Sequence, residues 1–162
     1  MRNLCVIFPD QLNPLISSLW DFDHELDEIL ICEFKKDFTN VNHHKKKIVY
    51  QLSCMRHFNS DLSKSGFRVN YVKLDDSNNR GDFIPELLAI KKTKGFEKLI
   101  VTEPSSYEEL SSVKKWGDLL EVKVGIRKNN LFMCDKEEFE TWSIGRKELR
   151  LEYFYRTLRK KF

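Results

Sequence analysis

Five short apolar runs divide the chain, at residues 4–8, 28–32, 68–74, 98–102 and 121–126. The first, second and fourth are nearly continuous in Ile, Leu, Val and Cys. A strand covered on both faces of a sheet needs that pattern. The third and fifth alternate apolar with polar, as strands nearer a sheet edge do. Between the runs the apolar period lengthens to that of a helix. Ile48, Leu52, Met55 and Leu62 recur at helical spacing over 43–65, and Gly66 stands where a C-terminal cap belongs. Asp82 is a candidate N-cap, with Pro85 in the first turn and Gly95 just past the end. Ser105 followed by Glu108 reads as a capping box opening a helix through Leu110, Val113 and Trp116. Asp135 followed by Glu138 marks another helix start, with Phe139 and Trp142 on one face. The alternation of strand and helix predicts an α/β fold. We expect a doubly wound, Rossmann-like sheet of five parallel strands in order 3-2-1-4-5, with helices on both faces.

The chain has 162 residues and a net charge of +3, enough for one domain with a sizeable core. No apolar run approaches the length of a membrane span. The start, Met1-Arg2-Asn3-Leu4, enters a strand without the pattern of a secretory leader. Cys5, Cys32, Cys54 and Cys134 are scattered and form no C-x-x-C pair. They read as reduced thiols of a cytoplasmic protein, with no metal site made by this chain. After Gly145 the character changes. Residues 146–162 form a basic, aromatic stretch of helical pattern containing Arg146, Lys147, Arg150, Arg156, Arg159, Lys160 and Lys161.

In an open parallel sheet, ligands bind beyond the carboxyl ends of the strands, where the strand order reverses. Those ends carry acids: Asp10 after the first strand, Glu33 and Asp37 after the second, Glu103 after the fourth. Phe8, Pro9, Gln11 and His43 are expected beside them. Carboxylates gathered in one crevice suit hydroxyls and ring N–H groups and repel phosphate. The first turn has no G-x-G-x-x-G or Walker pattern, and Pro9 stands where a glycine would let a pyrophosphate approach. Cys54 and His57 share a helix face but lack two further metal ligands. No nucleophile–base pair, G-x-S-x-G elbow or H-E-x-x-H helix is present, so no catalytic residue is assigned.

Several motifs resemble those of the bacterial iron–sulfur cryptochrome/photolyase family, the prokaryotic (6-4) photolyases and photolyase-related proteins. Phe8-Pro9-Asp10-Gln11-Leu12-Asn13-Pro14 is similar to their G-D-Q-L-x-P opening. His43-His44-Lys45-Lys46-Lys47-Ile48 resembles H-H-K-x-K-I, Met55-Arg56-His57-Phe58 resembles A-M-R-H-F, and Val101-Thr102-Glu103-Pro104 resembles V-T-E-P. Gly145-Arg146-Lys147, Leu149 and Glu152-Tyr153-Phe154-Tyr155-Arg156 follow G-R-K-x-L-x-x-E-Y-F-Y-R. Pro9, Asp37 and Asn40 depart from the family's usual Gly, Glu and Tyr.

The resemblance implies an N-terminal antenna-binding domain at 1–145, for a chromophore such as 6,7-dimethyl-8-ribityllumazine. It implies that 146–162 leads to a C-terminal domain, absent from this chain, that holds FAD and an iron–sulfur cluster and performs light-driven repair of UV-damaged DNA. Expected partners are that domain or a second copy of the chain, and damaged DNA through the full-length protein, with no membrane. Two other readings stay open: a stand-alone Rossmann-like module for a flavin- or nucleotide-like ligand without catalysis, and a nucleic-acid binder acting through the basic tail.

Overall fold

The computed structural model describes residues 1–162. Its strands are β1 (Asn3–Val6), β2 (Glu28–Cys32), β3 (Val69–Val72), β4 (Lys98–Thr102) and β5 (Lys123–Arg127). All pair in parallel in the order β3-β2-β1-β4-β5, as the alternation predicts. The helices are α1 (Lys36–Thr39), α2 (Lys45–Lys64), α3 (Phe83–Thr93), α4 (Tyr107–Leu120), α5 (Lys136–Ser143) and α6 (Leu151–Lys161), with a short 3-10 turn at Ser17–Leu19.

Strand periodicity divides the core in two. Leu4, Val6, Leu30, Cys32, Leu99 and Val101 point to one face, where α3 and α4 supply Phe83, Leu87, Val113 and Trp116. The intervening residues Cys5, Ile7, Ile29, Ile31 and Ile100 point to the other face and meet Ile16, Leu19, Met55 and Leu62 from the 3-10 turn and α2. Because successive side chains alternate across a strand, a run apolar at every position is what allows both faces to be dry. β3 and β5 lie at the edges and are only partly buried. Burial raises the thiol of Cys5 to about 12 and that of Cys32 further, so both stay protonated. All four cysteines are free thiols.

The helix signals hold with shifts of a residue or two. Gly66 (φ +84°) and Gly95 (φ +69°) end α2 and α3 in the left-handed conformation expected of helix stops. Asp82 and Asp135 cap α3 and α5 through Phe83 N–H and Glu138 N–H. The capping box of α4 is corrected by one residue. Ser106 Oγ accepts from Glu109 N–H at 3.1 Å and donates to the Glu109 carboxylate at 3.0 Å. β5 begins at Lys123 because α4 continues to Leu120 and Glu121 turns the chain at φ +49°. The tail helix starts at Leu151, five residues later than its composition suggests.

No helix is long and apolar enough to cross a membrane. At the amino ends of the strands, the wholly buried Asp27 carboxylate accepts from Arg2, Asn3 N–H and Asp23 N–H. This ties β1 to the turn before β2, away from the ligand edge.

Candidate functional site

The carboxyl ends of β1 and β2 open into a groove of about 1000 Å³. Four segments form it. The turn after β1 contributes Pro9, Asp10 and Leu12, α1 contributes Asp37, and Asn40 follows it as its C-cap. His43 precedes α2, which gives one wall from Lys47 to Asp61, including Tyr50 and Cys54. Glu109 reaches in from the first turn of α4. The sheet's order explains the location. From β1 the chain crosses to β2 on one side and, later, to β4 on the other. The two connections diverge and leave a gap above β1.

The electrostatics of the groove follow from packing. Burial lifts the Asp37 carboxyl to about 6, with Glu109 and Asp82 adding to the rise and Lys36 opposing it. Burial also raises Glu109, against its hydrogen bond from Ser106, and the charge of Asp10 raises it further. Asp10, Asp37, Asp61 and Glu109 thus face a groove whose one lysine is Lys47. That lysine sits 3.3 Å from His43 Nδ1. His44, the other member of the histidine pair, caps α2 instead, accepting from Lys46 N–H at 3.2 Å.

Of the residues expected at the site, the structure brings together Pro9, Asp10, Asp37 and His43. The other four lie elsewhere. Phe8 continues the β1 alternation inward, stacking at 6.1 Å from Trp116 and edge-on at 5.0 Å to Phe83 in the core. Gln11 is fully buried, and its amide donates to the carbonyls of Thr102 and Glu103, tying the β1 turn to the end of β4. Glu103 lines a smaller cavity of about 290 Å³ on the β4–β5 side, with Lys128, Phe132 and Cys134. Its backbone carbonyl also accepts from Asn129.

Glu33 is wholly buried and fully engaged. Arg56 Nε donates to one carboxylate oxygen at 2.7 Å and Arg56 Nη2 to the other at 2.8 Å. The Tyr71 hydroxyl and Leu74 N–H complete the set. Burial pushes this carboxyl up, but those donors outweigh it and hold it below the ordinary value. The carboxylate has little left to offer a ligand. The same network raises Arg56, chiefly through its bond to Glu33. It also raises Tyr71, first by burial and then by Glu33.

Sequence reasoning did not reach Glu109, Lys47, Tyr50 or Gln51 as groove residues. For the last three a signal exists. His43, Lys47, Tyr50, Gln51 and Cys54 fall at helical spacing on the face flanking the one that buries Met55 and Leu62.

Comparison with known proteins identifies the family. The family profile described as deoxyribodipyrimidine photo-lyase-related protein matches residues 5–162. A (6-4) photolyase of Agrobacterium fabrum (strain C58) is 37% identical over 161 residues, which cover 99% of this chain and 32% of that relative. The chain thus spans about a third of the relative's length. With nearly its whole length matched by the family profile, the chain belongs to the deoxyribodipyrimidine photo-lyase-related protein family.

Proposed function

We propose that this chain is the antenna-binding part of a photolyase-related protein and that the groove above β1 and β2 holds a lumazine-type ring with a polyol tail. In this reading the repair of UV-damaged DNA belongs to the longer protein, through a C-terminal domain with FAD and an iron–sulfur cluster. The observation that carries the reading is the groove itself: a large concave site at the strand-order reversal, lined by acids and aromatic rings.

The donor set fits 6,7-dimethyl-8-ribityllumazine. Tyr50, Phe58 and Leu12 offer apolar surface for a ring. Asp10, Asp37 and Glu109 accept from ring N–H and ribityl hydroxyl groups, while Asn40 and Gln51 both donate and accept. With its carboxyl near 6, Asp37 is also protonated in part of the population at neutral pH and can then donate to a ring carbonyl. Four acids against one lysine disfavour a phosphate, which sets the lumazine apart from FMN. When bound, the ring supplies light absorption. The chain's own residues bind it, orient it and hold it in a fixed pocket.

Titration of the purified chain with 6,7-dimethyl-8-ribityllumazine and with FMN tests this reading. We expect the lumazine to bind more tightly. Asp10→Ala and Asp37→Ala should each weaken it by about tenfold or more, the loss of a hydrogen bond to a charged group. Glu103→Ala, across the sheet, should leave it unchanged. Tighter binding of FMN, or undiminished lumazine binding in both groove variants, contradicts the assignment.

A further inference from the structure

The amino-terminal half of the wall that α2 gives to the groove has little apolar support. Over its 20 residues α2 buries only Met55 and Leu62, both in its second half. Residues 45–54 contain no buried side chain, although Lys47, Tyr50, Gln51 and Cys54 of that stretch line the groove. A helix segment without a buried face relies on whatever else fastens it to the fold. Here the fastening at its inner edge is Arg56, whose fork grips both oxygens of Glu33. Glu33 is itself fixed by Leu74 N–H and the Tyr71 hydroxyl. The Tyr71 ring packs against the core on the α2 face of the sheet.

We infer that Arg56, held by the buried carboxylate of Glu33, is a positioning residue that sets the α2 wall of the groove without touching its occupant. Arg56 and Glu33 are absent from the groove lining. They act at the end of β2, and their bond fixes both the height and the rotation of α2 because a bidentate fork constrains direction as well as distance. Arg56 also borders a smaller hollow with Val49, Ser53 and Ser60, so no apolar side chain packs over the fork on that side. The consequence for a bound lumazine rests on the groove being the binding site. The positioning of α2 does not.

Hydrogen exchange on the whole chain separates the two. In Arg56→Gln, amides of residues 49–57 should exchange about ten- to a hundredfold faster, the loss expected for a charge-assisted pair, while amides of β1 and β4 keep their protection. Arg56→Lys keeps the charge but loses the fork. It should give a smaller change at the same amides, and it serves if Arg56→Gln does not fold. Lys64→Gln, at the exposed end of α2, should change nothing. Dissociation of 6,7-dimethyl-8-ribityllumazine should quicken in the order Lys64→Gln, Arg56→Lys, Arg56→Gln. Unchanged exchange over 49–57, or acceleration spread evenly through the sheet, overturns the positioning role. Failure of the unmutated chain to bind the lumazine overturns the ligand assignment alone, and the exchange pattern still decides the role of Arg56.

Discussion

The sheet body and the α5–α6 pair are held together by different means. In the body, two apolar clusters on opposite faces of one sheet enclose side chains that are almost wholly inaccessible. In the pair, α5 has no buried residue and α6 has one, Phe154. Phe154 meets Phe139 edge-on at 5.1 Å and Trp142 at 5.0 Å, and the Lys161–Glu138 ion pair closes the far end. Large apolar groups stay in water around this small contact, among them Ile144, Leu151, Tyr155 and Phe162. The Trp142 indole N–H is shielded and has no acceptor. The charges divide in the same way. Between 136 and 162 there are eight basic residues against five acids, while the rest of the chain carries 20 against 20. Stability is therefore concentrated in the body, and unmatched surface in the pair.

The largest expected effect strikes the body. Trp116 is 2% exposed and touches the rings of Phe8 and Phe83. Trp116→Ala should lower the free energy of unfolding by about 3–5 kcal/mol, the cost of an aromatic cavity in a packed core. Denaturant unfolding followed by circular dichroism measures it. A loss below about 1 kcal/mol contradicts the division drawn above.

Next comes the Asp27 network at the amino ends of the strands. Burial raises this carboxyl, but hydrogen bonds from Arg2, Asp23 N–H and Asn3 outweigh it and leave the folded value at about 2, below the ordinary 3.8. A depressed folded value contributes stability that is complete above pH 3.8 and is lost as the pH falls through 2. The contribution is about 2 kcal/mol. Asp27→Asn should remove that part of the acid dependence. Unfolding curves from pH 5 down to pH 2 test it, and an unaltered slope in the variant would refute the assignment.

Much of this architecture is legible in the residues, and the illegible parts share a cause. Continuous apolar runs mark the central strands because burial on both faces leaves no room for polar alternation. Caps such as Asp82 and Asp135 announce themselves because their bonds are local. The 3-10 turn and α1 escape notice because three or four residues cannot display a period. Asp10 and Asp37 are found because they follow the strand ends that define the groove, and His43 because it stands at the start of the long helix. Glu33 and Glu103 follow strand ends too, yet they lie elsewhere. Arg56, 23 residues from Glu33, turns that acid into a structural anchor. Glu103 stands beyond the far side of the order reversal, toward β5. Both fates depend on contacts distant in sequence, which local pattern does not encode.

A smaller effect concerns Asp37. Burial raises its folded value to about 6. A raised carboxyl favours the protonated fold, so stability declines as the pH climbs from 3.8 to 6 and levels off above. This slope opposes that of Asp27. Asp37→Asn should therefore stabilise the chain by about 1 kcal/mol at pH 7, allowing for solvent at a half-buried group, and should change nothing at pH 4. The same variant should bind the lumazine more weakly, the trade-off expected where a binding site is held at a cost to the fold. Equal stabilisation at both pH values contradicts the titration.

The smallest effect on overall stability should come from the other region. Phe154→Ala removes the one buried side chain of α6 and breaks the aromatic contact with Phe139 and Trp142. Had Phe154 belonged to the main core, this truncation would cost about 3–5 kcal/mol in global unfolding. Because it joins two helices that bury almost nothing else, we expect the main transition to move by less than about 0.5 kcal/mol. The lost contact should appear locally instead. Amides of residues 139–160 should approach unprotected exchange, while those of β1, β2 and β4 are unaffected, the signature of a unit that opens independently of the fold beneath it. Limited proteolysis should cut first between Ser143 and Leu151, where the helices are joined by exposed chain. A global loss as large as that of Trp116→Ala would mean that the pair and the body unfold as one unit, and the contrast between them would fail.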